Sequence, residues 1–330
     1  MAKCSLLEVP CLRSQPRRSN SKGGTRLRAV VCTGYGPPEV LQLRDMPKPV
    51  PKSSEICIKI VATAVTASDS IVRASSLPFA YRLVMRVVVG ITRPRNPILG
   101  LVLAGEVESV GREVTRFKPG SQVCAFTEFR FGAYAEYACL PEEAIVALKP
   151  SNLSHEQAAA IPYGGLLALY FLKKASLKSG HRVLVYGASG AIGTSAIQLA
   201  KFFGAEVTGV CSTANLDLVQ SLGADAVIDY TRGDFTKNGV RYDLILNAVG
   251  KRKAMLQCEG SLAPNGRHIT VDDGTPRFQA ADLVFLTGLV EDGKLKPVID
   301  RTYPLEQIVE AHRYVDKGHK KGNVVITLAG

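Results

Sequence analysis

The part of the chain that most constrains its fold is residues 182–205, RVLVYGASGAIGTSAIQLAKFFGA. The apolar run at residues 183–186 is typical of a strand that is buried on both faces. A glycine turn follows it, and the apolar residues after the turn recur at helical spacing up to Gly204, a residue suited to a helix C-terminus. Strand, turn and helix together present backbone N–H groups and the positive end of a helix dipole to a diphosphate. The segment therefore predicts a dinucleotide-binding βα unit; the alternative is a buried βα unit that binds nothing.

The A-x-G-x-x-G pattern of the turn names the residues expected to contact a diphosphate. They are Gly187, Ser189, Gly190, Ala191, Ile192 and Gly193. Further strand patterns at residues 206–210, 226–228 and 242–246 alternate with a helical pattern at residues 216–222. This alternation indicates a parallel sheet with right-handed crossovers.

The end of the second strand bears on the choice of cofactor. An acidic residue there would bind a ribose 2′-hydroxyl and would repel a 2′-phosphate. The chain has Cys211, Ser212 and Thr213 at this place, so hydroxyl donors face the ribose and no acid does. We therefore expect NADPH to be favoured over NADH.

Length and composition fit two globular domains of ordinary size. The chain has 330 residues, of which 46% are hydrophobic, and no run approaches the roughly 20 apolar residues that a membrane-spanning helix needs. Its eight cysteines lie far apart, with no C-x-x-C pair and no Cys/His cluster at metal spacing. We expect reduced thiols in a cytoplasmic location, and no metal site.

The net charge of +12 is unevenly distributed. Residues 1–28 hold seven lysines and arginines against one glutamate, which accounts for half of the net charge. The rest is spread thinly, so no nucleic-acid partner is expected. The basic, serine-containing leader suggests an organelle transit segment, and the alternatives are a disordered tail or a start codon assigned too far upstream.

Composition shifts divide the chain into four parts. Residues 1–27 form the basic leader, which is expected to be disordered. Residues 28–150 carry short strand patterns with Gly/Pro turns, which predict a β-rich, barrel-like domain. Residues 151–295 form the nucleotide-binding domain, and residues 296–330 predict a helix and a strand that return to the first domain.

Several short motifs occur in one order along the chain. They are YGPPEVL at 35–41, GLVLAGEV at 100–107, GAYAEY at 132–137, GASG at 187–190, LGAD at 222–225, AHR at 311–313 and KGN at 321–323. In this order they resemble the medium-chain dehydrogenase/reductase family, in its zinc-independent quinone oxidoreductase (zeta-crystallin-like) branch. The resemblance implies a GroES-like β-rich domain plus a Rossmann doubly wound parallel sheet. It also implies an enzyme that transfers hydride from NADPH to a quinone or an α,β-unsaturated carbonyl, a small hydrophobic electron acceptor.

The resemblance also assigns roles to residues of the cleft between the two domains. Thr66 and Asp69 match polar positions that line the cleft and are the candidate catalytic residues; the alternative for Asp69 is a helix N-cap before Ser70. Ala248 and Val249 match positions near the nicotinamide ribose. Tyr163 is expected either to line the cleft or to pack in the core.

The zinc-dependent branch of the family is not expected to apply. Its cysteine, histidine and cysteine ligands correspond to the segment 66–69, to Leu101 and to Tyr163, where this chain has no such ligand. Without a Lewis acid to polarise an alcohol oxygen, alcohol oxidation is disfavoured. Enoyl-thioester reduction is disfavoured too, because the tyrosine proton donor of those relatives is replaced by Leu77, with Tyr81 only a loose substitute.

Two departures from the branch qualify this reading. Leu216 stands where relatives have a basic residue for the 2′-phosphate, so Ser212, Thr213 and Tyr230 must suffice and NADH is also possible. Residues 272–295 have room for one helix only, so the usual sixth strand is expected to be lacking. The sheet edge that pairs between subunits would then be exposed, which puts a homodimer in doubt. The alternative function is a catalytically degenerate nucleotide-binding protein.

The segment 77–95 mixes apolar and basic residues. It predicts an amphipathic helix with three possible roles: a lid on the substrate cleft, an attachment to a membrane surface, or simple packing on its own domain.

Overall fold

The computed structural model describes residues 25–76, 86–237, 239–250 and 258–328. In these residues, the first part of the chain forms the strands β1 (Arg26–Cys32), β2 (Leu41–Pro47), β3 (Glu55–Val65), β4 (Val102–Val110), β5 (Gln122–Phe126), β6 (Tyr137–Pro141) and β7 (Ile145–Leu148) of the first domain. Its helix α1 (Ala67–Ala74) follows β3. Two helices, α2 (His155–Ala159) and α3 (Pro162–Lys174), then lead into the second domain.

The second domain alternates strands and helices. They are β8 (Arg182–Tyr186), α4 (Ala191–Phe202), β9 (Glu206–Cys211), α5 (Leu216–Ser221), β10 (Ala226–Asp229), β11 (Tyr242–Asn247), β12 (Leu262–Thr270) and α6 (Ala280–Glu291). The chain ends with β13 (Ile299–Pro304), α7 (Ile308–Asp316) and β14 (Asn323–Thr327).

The first domain is built on one large sheet with the order β13-β14-β3-β4-β5-β7, and β6 also pairs with β3. Strand β3 lies at its centre, and its alternating Ile56, Ile58 and Ile60 are at most 2% exposed, whereas Lys59 between them is exposed. Strand β14 pairs antiparallel with β3. The C-terminal residues therefore complete the sheet of the first domain after the chain has passed through the second.

The second domain contains a parallel sheet with the order β10-β9-β8-β11-β12. Its central strand β8 is buried on both faces, since Val183, Leu184 and Val185 are wholly inaccessible. The expected combination of a GroES-like domain with a Rossmann-type sheet is confirmed. In the described part of the chain this sheet has five strands and β12 is its edge.

After β12 the chain runs directly into α6, which packs on α3 and on β7 of the first domain. Residues 77–85 of the basic, apolar segment lie outside the described residues. Of the remainder, Arg86 lies over the Tyr35 ring and Arg95 donates to the carbonyl oxygen of Val87. Within the described ranges, no helix combines the length and the apolar character required to cross a bilayer.

Candidate active site

The glycine turn between β8 and α4 is shaped for close approach by a ligand. Gly187 has a φ of +79°, in the left-handed region that disfavours a side chain. A Cβ on Gly193 would lie 2.2 Å from the Gly187 carbonyl oxygen, so only glycine lets the helix start so near the strand. Gly190 is the N-cap of α4 and supplies no side-chain acceptor to the first turn. The amides of that turn therefore face a place where an anion can act as the cap.

The turn lies at the point where the strand order of the sheet reverses. Strand β8 has β9 on one side and β11 on the other, and ligands of such sheets bind outside the carboxyl ends of the strands at this point. Residues after β11 reach across to the turn, because the Val249 side chain would lie 2.5 Å from a Cβ on Gly187. The Ala248 amide donates to the Tyr186 carbonyl oxygen at 2.9 Å. The structure thus brings Ala248 and Val249 together with the glycine turn.

Ser189 and Ser212 are joined by a residue that the sequence interpretation missed. The Asn215 side-chain amide donates to the Ser189 hydroxyl at 3.1 Å and to the Ser212 hydroxyl at 3.2 Å. Its Oδ1 is buried without a hydrogen-bond partner. Buried polar atoms are almost always satisfied in proteins, so this oxygen is suited to a donor from a bound ligand.

An acidic residue faces Thr213 from the neighbouring strand. The Thr213 hydroxyl donates to the carboxylate of Asp229, the last residue of β10. Hydrogen bonds from Thr213 and Thr231 lower the pKa of Asp229, so the carboxylate is ionised. Strand β9 itself ends without an acid, as the sequence indicated, but the parallel pairing of Asp229 with Cys211 brings one alongside. This register supplied a signal that the sequence interpretation did not use.

A basic residue also reaches this place. The Lys321 ammonium group donates to the Ala214 carbonyl oxygen at 3.4 Å, and the next residue, Gly322, donates its amide to the Ser189 carbonyl oxygen at 2.8 Å. The loop before β14 therefore crosses the glycine turn and puts a positive charge beside Ala214, which directly follows Ser212 and Thr213 in the chain. The motif around Lys321 was visible in the sequence, but no local pattern connects it with a site more than 100 residues away. Tyr230 is half exposed nearby, with its ring centroid 6.2 Å from that of Tyr186.

Thr66 and Asp69 form a capping box at the start of α1. The Thr66 hydroxyl accepts from the Asp69 amide at 3.2 Å, and the Asp69 carboxylate accepts from the Thr66 amide at 2.9 Å. Burial raises the pKa of Asp69 to about 6, and hydrogen bonds from Thr66 oppose this shift. The helix begins at Ala67, so the sequence expectation of Asp69 as the N-cap is wrong: Thr66 is the N-cap and Asp69 is its partner at the third helical position. Both side chains are buried, and their catalytic role stays a prediction.

Ser68, between the two buried side chains, is partly exposed. Its hydroxyl lies 2.9 Å from the hydroxyl of Tyr163, the second residue of α3. Burial raises the pKa of Tyr163, whereas the Ser68 hydrogen bond lowers it. Tyr163 is thus both packed and polar, and its hydrogen bond connects α3 to α1 of the first domain.

Catalytic zinc does not fit the positions that correspond to its ligands. Thr66 is committed to the helix cap, Leu101 is a buried aliphatic residue, and Tyr163 is bonded to Ser68. Zinc in proteins is bound by thiolate, imidazole or carboxylate groups. Among the described residues there is no group of three or more His, Cys, Asp or Glu side chains that could hold a metal ion.

Comparison with known families and proteins bears on this geometry. Residues 52–151 match the alcohol dehydrogenase GroES-like domain, and residues 191–288 and 273–326 match two models described as zinc-binding dehydrogenase. Among curated proteins, the chain is 34% identical to a 2-methylene-furan-3-one reductase of Solanum lycopersicum, across 92% of this chain and 79% of that protein. It is 30% identical to a chloroplast envelope quinone oxidoreductase homolog of Arabidopsis thaliana, across 92% of this chain and 99% of that protein.

A similar solved structure is the quinone oxidoreductase from Coxiella burnetii. It superposes with a TM-score of 0.81 at 28% identity and covers 92% of this chain and 100% of that one. Another relative, 30% identical across 91% of this chain and 79% of its own length, is named NADPH-dependent alkenal/one oxidoreductase, chloroplastic, of Arabidopsis thaliana. The matches to these proteins extend over both domains of the chain.

Proposed function

The chain belongs to the medium-chain dehydrogenase/reductase family, in its quinone oxidoreductase (zeta-crystallin-like) branch, and is an NAD(P)H-dependent oxidoreductase; we propose that it is a zinc-free reductase that uses NADPH to reduce a quinone or an α,β-unsaturated carbonyl. The observation that carries the proposal is the glycine turn at the reversal point of the sheet, with Lys321 at Ala214, the residue after Ser212 and Thr213. The relatives supply the class of acceptor.

The side chains at the adenosine end divide into groups that favour and disfavour a 2′-phosphate. Lys321 offers a positive charge to it and Ser212 a hydroxyl donor, which the Asn215 amide holds in place by donating to the Ser212 oxygen. Asp229 opposes it, although Thr213 and Thr231 already donate to this carboxylate. We therefore expect the preference for NADPH over NADH to be smaller than in a site without Asp229, and NADH to remain a usable cofactor.

The residues that would hold the nicotinamide end come from the ends of β8, β11 and β12. Val249 packs on Gly187, and Gly250, with a φ of +82°, lies against the Asp272 carboxylate. When bound, NADPH supplies a hydride to an acceptor in the crevice. The protein's part is to hold the donor carbon and the acceptor side by side and to exclude water, which needs no metal for an acceptor as reactive as a quinone or an enone.

The second candidate, a nucleotide-binding protein that has lost turnover, is favoured by one observation. The described sheet has five strands, and the segment after β12 passes directly to α6. A shortened sheet that keeps the glycine turn between β8 and α4, but has lost residues that would contact the electron acceptor, would bind the nucleotide without oxidising it.

One experiment separates these candidates. Purified protein is titrated with NADPH and with NADH, and oxidation of each is then followed with a panel of small quinones and enones. Tight NADPH binding with turnover supports the reductase. Binding without turnover on any acceptor supports the degenerate protein, and absence of binding would contradict both.

The location of the protein stays a prediction. It is cytoplasmic if the basic leader has no targeting role, and an organelle matrix is the alternative. A fluorescent reporter fused behind residues 1–28, compared with a reporter that lacks them, tests which holds.

A further inference from the structure

A pair of hydroxyl groups joins the helix that follows β3 of the first domain to the helix that leads into the second domain. Ser68 lies in the first turn of α1, and Tyr163 lies in the first turn of α3. Their oxygen atoms are 2.9 Å apart. The two helices begin where they do for other reasons, since Thr66 and Asp69 cap α1 and Pro162 occupies the first position of α3. The hydrogen bond between Ser68 and Tyr163 is therefore not required to start either helix.

Two contacts put this pair beside the predicted cofactor site. Gly164, next to Tyr163, packs so closely that a Cβ on it would lie 2.3 Å from the Ala191 carbonyl oxygen, at the start of α4. Asp272, which follows β12 and lies against Gly250, is near enough to raise the pKa of Tyr163. The phenol therefore lies between the start of the phosphate-facing helix and the strand ends where the nicotinamide would be held.

The surroundings of Tyr163 suit a group that keeps its proton until it is needed. Burial raises the pKa of Tyr163, and Asp69 and Asp272 raise it further, so the phenol is protonated at neutral pH. The Ser68 hydrogen bond acts in the opposite direction and stabilises the phenolate. Tyr163 is 8% exposed, whereas Ser68 is partly open, so Ser68 connects the phenol to solvent.

We propose that Tyr163 is the proton donor to the acceptor and that Ser68 positions it and restores its proton. The inference rests on the proposed function and names the acid of that reaction. The acceptor gains a hydride, at the β-carbon of an enone or at a carbonyl oxygen of a quinone; the Tyr163 O–H bond then breaks and its proton forms a new C–H or O–H bond on the reduced acceptor. The phenolate accepts a hydrogen bond from Ser68 and takes a proton from water through it. The sum is one NADPH and one solvent proton consumed for each acceptor reduced by two electrons.

The proposal predicts unequal effects on the two classes of acceptor. Hydride addition to an enone leaves a strongly basic enolate, which needs an acid, whereas a quinone leaves a hydroquinone anion that water can protonate. General acid catalysis contributes about 10²- to 10⁴-fold. In Tyr163→Phe we therefore expect kcat with an enone to fall by about that factor, and kcat with a quinone to fall by less than about tenfold. NADPH affinity is expected to be unchanged.

The matched control is Tyr170→Phe, which removes a phenol from the same helix. Tyr170 lies two turns further along α3, about 10 Å along the helix axis from Tyr163, and contacts the rings of Phe171 and Phe278. This variant is expected to reduce both acceptors like the wild type. The solvent deuterium isotope effect on enone reduction gives a second readout, because it depends on proton transfer and a packing defect would not abolish it selectively.

The role of Ser68 is tested without any cofactor. A spectrophotometric pH titration of tyrosine ionisation, taken as the difference between wild type and Tyr163→Phe, isolates the phenol of Tyr163. In Ser68→Ala this ionisation should move to higher pH, since its stabilising hydrogen bond is gone. Ser68→Thr keeps a hydroxyl and should restore both the titration and the enone activity.

The outcomes distinguish this inference from the proposed function. A wild-type protein that reduces enones, with Tyr163→Phe equally active on them, would overturn the proton donor and leave the reductase standing. A wild-type protein that fails to oxidise NADPH with every quinone and enone tested would overturn both. A Tyr163→Phe protein that loses quinone and enone reduction equally, together with NADPH binding, would show a structural role and overturn the inference.

Discussion

The sharpest test of the cofactor cradle is the addition of one methyl group at Gly193. A Cβ there would lie 2.2 Å from the Gly187 carbonyl oxygen and 2.8 Å from the Ala188 backbone. Both neighbours are main-chain atoms of the turn, which cannot rotate away as a side chain could. The Gly193→Ala substitution must therefore move the start of α4 relative to the end of β8.

The size of the effect follows from what this movement disturbs. Overpacking in a close-packed region costs about 1–3 kcal/mol, so the variant should unfold at lower denaturant concentration but should still fold. The amides of the first helical turn would no longer point at one place. Loss of one hydrogen bond to a charged group costs about 1.5–3 kcal/mol, which is about a 10- to 150-fold rise in Kd.

Calorimetric titration with NADPH measures this Kd, and chemical denaturation measures the free energy of unfolding. The control is Gly288→Ala in α6, where a Cβ would meet open space. That substitution should stabilise the protein by up to about 1 kcal/mol through helix propensity and leave NADPH affinity unchanged. A folded Gly193→Ala protein that binds NADPH within about twofold of the wild type would refute the reasoning.

Three further perturbations test charges placed by the tertiary structure. Lys321→Ala should weaken NADPH binding about tenfold and leave NADH binding unchanged, because it removes one charge-assisted contact to the 2′-phosphate. The control, Lys317→Ala at the exposed end of α7, should change the Kd of neither cofactor. The second concerns Asp69, because burial raises its pKa from 3.8 to about 6. The folded state therefore binds the carboxyl proton more tightly than the unfolded state, which stabilises the fold below about pH 4, and this contribution is lost as the pH rises through 6. The unfolding free energy of Asp69→Asn relative to the wild type should thus rise by about 2 kcal/mol between pH 4.5 and 7.5 in denaturation experiments, and a constant difference would contradict the shift. Finally, Arg73 is buried, and Asp316 accepts a hydrogen bond from its guanidinium group at 2.7 Å. Asp316→Ala leaves this buried charge without its partner, so it should lower the free energy of unfolding by about 3 kcal/mol, and by more than Arg73→Met, which removes the charge itself. Chemical denaturation of both variants tests this order, and the reverse order would refute the reasoning.

The parts of the site that depend on short segments were predictable from the sequence. The strand, turn and helix around Gly187 need only local patterns: an apolar run, glycines at fixed offsets and helical periodicity. The length of the segment after β12 also indicated a sheet of five strands. The capping box at Thr66 and Asp69 had its local signature too, a threonine followed three residues later by an acid, but the helix was expected to begin after Asp69.

The parts that depend on register and loop crossings were not predictable in this way. Asp229 reaches Thr213 only because β10 and β9 pair with Asp229 beside Cys211. Lys321 reaches the site only because β14 returns to β3 and its preceding loop passes the glycine turn. Such contacts join residues that are distant in the chain, so no spacing in the sequence encodes them.

The shortened sheet and the intact cradle are compatible because they lie at different places. The glycine turn and the residues around it lie at the ends of β8, β9 and β11 near the middle of the sheet, whereas the sixth strand that the described residues lack would follow β12 at its edge.

That edge also has a form that discourages pairing. The register of β12 against β11 jumps from Leu262 to Arg267 over two residues of the partner strand, and within the intervening bulge Asn265 has a φ of +67°. Bulges and exposed charges are the usual means of protecting a sheet edge. An edge of this kind can remain in water without a partner strand, so we expect β12 not to pair between subunits, and the support of the cofactor site does not depend on such pairing.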